Sequence, residues 1–316
     1  MDTVIRVTDP KLPHLAHLQD PIIMSEALSG STGAATIVST ADIVRHKPGR
    51  RAIARLTTDR GTLYAKMFAS SRGPKVHAIS QTICDARAFG PDVALPVPVA
   101  YLPELRTLVQ KRVAGEPIED ALTGGDTALA RRIAEALHRF HISGADLGRR
   151  HDLAKELAPL PGRVAEVIDT VPELESLAHM CLQRVRAGAD MVTTWRLKPV
   201  HRDCYHDQFL VDGGRLAVLD LDDAAMSEPA VDIANVAAHL MLLGAQRSGD
   251  MTALAPVIDV FIARCRSLDP ELDASLMRYL TGTTLVRLAG IHVARRDGAT
   301  VAGLLLNRAA AILPAR

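Results

Sequence analysis

HRDCYHDQFLV, residues 201–211, gathers two histidines, two aspartates, a cysteine and an arginine into its first seven positions, then closes on an apolar run. Three chemistries compete for such a cluster: a metal centre, a general base, or a polar loop. His201, Cys204 and His206 are ligand types that suit zinc. Yet no second Cys or His pair stands at finger spacing, and the P-C-x-x-C partner that a zinc-deaminase loop requires is missing. The decisive features lie just downstream. Asp203 is followed five residues later by the amide Gln208, and seventeen residues later by Asp220 in AVLDLDDA. Between them, DQFLV, the turn DGG (212–214) and RLAVLDL read as a short β-hairpin that folds Asp220 back toward the loop.

A carboxylate that orients an attacking hydroxyl, an amide nearby and a second carboxylate for a divalent cation make up the set that phosphoryl transfer uses. Composition agrees with an ordinary folded chain. The 316 residues are 48% hydrophobic and 23% charged, enough for one large or two modest domains. Aromatics are only 3%, which favours a helical Ala/Leu core over a β-sandwich.

The net charge of +1 gives no overall field for nucleic acid or an anionic membrane. It hides an asymmetry: Met1–Val113 carries +6, and the remainder −5. Four scattered cysteines without a CxxC pair fit a reduced, cytoplasmic protein. The first twenty residues lack the apolar core of a signal peptide, and no apolar run approaches ~18 residues.

From Ala35 to Phe68 the pattern is β. ATIVSTADIV, a turn at HKPGRR, RRAIARLTT, a turn at DRG and TLYAKMF make three strands. Residues 75–89 have helical spacing, GPDVALPVPVAYLP reads as an irregular connector, and LRTLVQKRV returns as a strand. After a Gly/Pro-punctuated linker, helices are expected at 127–141, 163–189, 230–245, 251–267 and 272–296, and through the C-terminus.

These fragments, in this order, resemble the protein-kinase-like phosphotransferases, specifically the aminoglycoside phosphotransferase and small-molecule kinase family. HRDCYHDQ is similar to the catalytic loop H-x-D-x-x-x-x-N, VLDLDDA to the metal-binding I-D-[WF] segment, and SEPAVDIANVAAHL (227–240) to G-D-P-x-x-D-L-A. ALHRFH (136–141) looks like the family's A-L-H helix. Lys66 in LYAKMF takes the place of the strand lysine, and LVQKRVAGEPIED that of the crossing between lobes. The resemblance covers nearly the whole chain. It implies a two-lobe α+β protein-kinase-like fold, with a small N-terminal antiparallel β-sheet lobe (1–113) and a larger, mostly helical lobe (114–316).

The implied activity is phosphorylation of a small-molecule hydroxyl by ATP (or GTP) with Mg²⁺, with no nucleic acid and no membrane involved. Asp203 becomes the catalytic base and Asp220 the main metal ligand. Gln208 becomes the second metal ligand, Lys66 the partner of the α/β-phosphates, and the backbone around Lys111–Val113 the adenine contact. Asp232 is expected to brace the catalytic loop. RHKPGRR lies where the family keeps its phosphate-covering loop but holds one glycine, so Lys47, Arg50 and Arg51 are expected to act by charge.

Three departures matter. Gln208 stands for the usual Asn, as in maltokinase-like sugar kinases of the same superfamily, and still offers an amide oxygen. The helix at 75–89 has no glutamate for Lys66, leaving Gln81 and Asp85 as candidates. Asp222 and Asp223 follow Asp220 closely; either is placed to touch a second metal, but they read first as solvated surface carboxylates. Gln208 and the missing glutamate also support the alternative of a non-catalytic nucleotide-binding pseudokinase. No A-P-E segment follows Asp220, which disfavours protein substrates. Eight acids against two arginines in 201–232, and a single tryptophan, favour a sugar, amino sugar or aminoglycoside acceptor over choline.

Overall fold

The computed structural model describes residues 8–315. They form two compact units. The first holds the described chain up to Ala86, then Ala94–Ala114, and takes back Ala217–Asp222 from late in the sequence. The second holds Arg87–Val93, Gly115–Leu216 and everything from Asp223 onward.

In the first unit, helix α1 (Pro21–Thr32) starts on Asp20, whose carboxylate accepts from the N–H groups of Ile22 and Ile23, and stops at Gly33 in the left-handed conformation. It precedes a five-stranded antiparallel sheet. The strands are β1 (Val38–Lys47), β2 (Arg51–Thr58), β3 (Gly61–Phe68), β4 (Pro98–Leu102) and β5 (Thr107–Lys111), in the spatial order β1-β2-β3-β5-β4. Strand β2 alternates, burying Ala52, Ala54 and Leu56 against a core that includes Leu15, Met24, Leu28, Met67 and Val109. The turns at Pro48-Gly49 and Asp59-Arg60 fall where the sequence puts them.

The PVAYL part of the expected connector is instead edge strand β4, paired antiparallel with β5. An edge strand tolerates a proline because one side of its backbone needs no partner, and Pro98 sits at the strand's first residue. Helix α2 (Gly73–Asp85) replaces the expected 75–89.

The second unit is mainly helical: α3 (Thr127–His141), α4 (Leu160–Thr170), α5 (Glu175–Ala189), α6 (Ala230–Ser248), α7 (Ala255–Leu268), α8 (Ala274–His292) and α9 (Gly298–Ile312). Pro172 divides the pattern expected as one helix at 163–189 into α4 and α5. Helix α6 is buried almost all round over Ala230–Ala245, which makes it the centre of this unit. A two-stranded antiparallel ribbon, β6 (Lys198–Val200) with β7 (Ala225–Ser227), frames the loop 201–208. Two further strands, Phe209–Asp212 and Arg215–Val218, flank Gly213 and Gly214, both at positive φ. No helix among the described residues is long and apolar enough to cross a membrane.

Candidate active site

The first unit supplies a compact charge cluster. Lys66 lies opposite Ile53 across β2 and β3, and Arg51 lies two residues from Ile53, so pleating sends Arg51 and Lys66 to the same sheet face. Both meet the segment that follows Val218. The Lys66 Nζ donates to Asp220 Oδ1 at 3.0 Å and to Asp222 Oδ1 at 2.8 Å. The Arg51 guanidinium spans the same pair, 3.4 Å from Asp220 Oδ2 and 3.4 Å from Asp222 Oδ2. Arg72 donates to the Asp222 carbonyl at 3.0 Å.

Asp220 has φ +51, a left-handed value that costs a residue with a Cβ about 1–2 kcal/mol. Such strain gathers at working sites and persists only where the surroundings impose it. Asp222, expected as a surface carboxylate, is only 4% exposed. Burial, with Asp220 beside it, holds its carboxyl above the usual range against the opposing pull of Lys66.

Other residues singled out in the first unit are placed differently. Arg50 is exposed in the turn, where its N–H donates to the Lys47 carbonyl, while its neighbour Arg51 reaches the carboxylates. Lys47 is half-buried, and burial together with the neighbouring Arg51, Arg45 and Arg50 lowers its pKa. Lys111 ends β5, exposed, and Val113 follows it half-buried. Gln81 and Asp85 are both exposed on α2, and the hydrogen bonds of the Lys66 ammonium go to Asp220 and Asp222 instead.

The second unit holds the opening stretch. Asp203 is half-buried in the loop after β6. Beneath it Asp232, on the first turn of α6 and fully buried, accepts from the N–H of His201 at 2.8 Å and of Arg202 at 2.7 Å. It also pairs with His141 Nε2, from the last residue of α3, at 3.0 Å. Burial would raise the Asp232 carboxyl, but the His141 hydrogen bond and the neighbouring positive charge outweigh it and hold the pKa below its ordinary value.

Asn235, one helical turn further along α6, donates to the Arg202 carbonyl. These bonds hold Arg202 at φ +68. Tyr205 stacks on His239 of α6, with ring centroids 4.3 Å apart. Gln208 closes a 3₁₀ turn and is 6% exposed.

The zinc alternative loses its ligands. Among the described residues one group of metal-ligating types gathers, Glu119 with His206 and Asp207, and it includes neither His201 nor Cys204. Burial pushes the Cys204 thiol well above its ordinary pKa. Asp220, in the first unit, carries carboxylate oxygens, and Gln208, in the second, carries an amide oxygen; each is a donor type that a hard cation such as Mg²⁺ prefers. His141 and Asn235 escaped the sequence reading, and Asp222 was singled out without its contact to Lys66. His141 in ALHRFH, and Asn235 three residues after Asp232, were the available signals.

A family model described as the phosphotransferase enzyme family matches residues 45–259. No protein of curated function matches the chain in sequence. Solved structures are similar in fold. The choline kinase LicA of Streptococcus pneumoniae is 16% identical with a TM-score of 0.61, covering 92% of this chain and 98% of its own. A thermostable mutant of the aminoglycoside phosphotransferase APH(4)-Ia gives 16%, 0.63 and the same coverage. The spectinomycin phosphotransferase APH(9)-Ia gives 9% and 0.63, covering 90% and 96%.

Proposed function

Because this chain belongs to the phosphotransferase enzyme family, we propose that it moves the γ-phosphoryl group of ATP to a hydroxyl of a sugar, amino sugar or aminoglycoside. The observation that carries this reading is the Lys66 ammonium held 3.0 Å from Asp220, with Arg51 on the same carboxylate. A buried lysine and an arginine paired with acids that also suit a divalent cation are what a triphosphate requires.

Each residue then has a part. Lys66 contacts the α/β-phosphates. Arg51, with Arg50 and Lys47 near it in sequence, supplies the charge that a glycine-rich loop would supply through amides. The backbone at Lys111–Val113 meets the base. Asp220 and Gln208 hold Mg²⁺, which when bound neutralises charge on the phosphate oxygens. Asp203 orients the acceptor hydroxyl and takes its proton as the oxygen bonds to the γ-phosphorus and the bond to the ADP oxygen breaks. Asp232 keeps the Asp203 loop in register.

The acceptor is the less constrained part. Carboxylates around the loop suit hydroxyl and ammonium groups, whereas a quaternary ammonium wants several aromatic rings and the chain has one tryptophan. A choline kinase stands among the structures of similar fold, so choline belongs in the test. ADP release is measured with ATP, Mg²⁺ and a panel of neutral sugars, amino sugars, aminoglycosides, choline and homoserine. Turnover with a sugar or aminoglycoside is expected. Turnover with choline or homoserine alone overturns the acceptor class.

A further inference from the structure

A phosphate-binding lysine works only if its long, mobile side chain is held in place and kept charged. Burial removes water from the ammonium, so hydrogen-bond acceptors of the protein must stand beside it. Lys66 is 8% exposed and therefore needs such a partner. Helix α2 contains no glutamate, and its one acid, Asp85, is the exposed last residue.

The two carboxylates that do reach Lys66 are unequal. Asp220 is the more exposed, with 18% of its side chain accessible, and occupies the strained left-handed conformation. Asp222 has 5% of its side chain accessible and makes the shorter contact, 2.8 Å. It sits in a 3₁₀ turn, Leu221–Asp223, that Arg72 ties down through the Asp222 carbonyl.

We infer that Asp222 is the positioning residue for Lys66, doing from the segment after Asp220 what a helix glutamate would otherwise do. This rests on the proposed function, in which Asp220 would hold Mg²⁺ and Asp222 would keep its contact with the lysine. Arg51 and Lys66 then present charge to the phosphates with one buried carboxylate still fixing their geometry. The missing glutamate ceases to favour a non-catalytic protein, because its role has moved along the chain.

A double-mutant cycle tests this on the full chain with ATP and its best acceptor. Asp222→Asn and Lys66→Met should each lower kcat by at least about tenfold, with the acceptor KM and the Mg²⁺ requirement unchanged. The double variant should be no worse than the poorer single one, since both remove one interaction. Asp222→Glu keeps the charge and should recover part of the loss, and it serves as the readout if Asp222→Asn melts early. Losses that multiply, or an Asp222→Asn enzyme that mainly demands more Mg²⁺, overturn the inference and leave the function standing. A parent protein that transfers no phosphate to any acceptor overturns the function and the inference with it.

Discussion

Asp203 and Gln208 carry different demands. A carboxylate aimed at the acceptor hydroxyl matters chiefly in the transition state, so Asp203→Asn is expected to lower kcat by roughly 10²–10⁴ while nucleotide affinity, read by calorimetry, stays unchanged. An unchanged kcat would remove Asp203 from the mechanism. Gln208 is buried at the end of its turn, and only its amide oxygen suits a cation. Gln208→Asn should therefore keep measurable turnover and Gln208→Leu should lose it. Equal Mg²⁺-dependent nucleotide binding in both variants and the parent would reduce Gln208 to a packing residue. Asp222 shows where reading single residues fails: three acids in four positions look like solvated surface, and only the fold reveals that the middle one is buried against Lys66.

At the scale of elements, the loop 201–208 depends on α6 and α3 as much as on its own residues. Asp232 accepts from two loop N–H groups and from His141, so Asp232→Asn breaks a buried charge network and should cost about 3–5 kcal/mol in urea unfolding. A cost under 1 kcal/mol would mean that the loop holds itself. A second element test uses pH. His292 ends α8, and burial together with Arg295 depresses its pKa to about 4 from an ordinary value near 6.5. A depressed folded pKa means stability is fully present above about 6.5 and is lost as the pH falls toward 4, because the unfolded chain takes up the proton first. The Tm should therefore drop between pH 7.5 and pH 5, and His292→Gln should shrink that drop; an identical drop in the variant would contradict the assignment.

The elements legible beforehand were those with strong periodicity. TALARRIAEALHRFH is helical from its first residue to its last, because its apolar positions keep one face and Asp126 caps it. PVAYL was missed because prolines in a connector and prolines at a sheet edge read alike until the pairing with β5 is known.

At the scale of the whole chain, the charge asymmetry accords with the proposal: basic residues gather in the stretch proposed for the triphosphate, and acids around the loop proposed for the acceptor. Order along the chain made this legible, since Lys66, the loop 201–208, Asp220 with Asp222, and Asp232 follow one another in the order that the family resemblance implies. The acceptor stayed less legible, because solved structures of similar fold include a choline kinase and aminoglycoside phosphotransferases at 9–16% identity. An acceptor held by carboxylates should show turnover that fades with added salt if it is cationic, and salt-independent turnover if it is a neutral sugar. The central claim is phosphoryl transfer to a hydroxyl that requires Asp203. Its most direct test supplies γ-labelled ATP and Mg²⁺ with a library of hydroxylated metabolites, and compares the parent protein with Asp203→Asn. The account predicts a labelled phosphomonoester from the parent and a yield lower by roughly 10²-fold or more from the variant; equal labelling by the two proteins, or none from the parent with any acceptor, would contradict it.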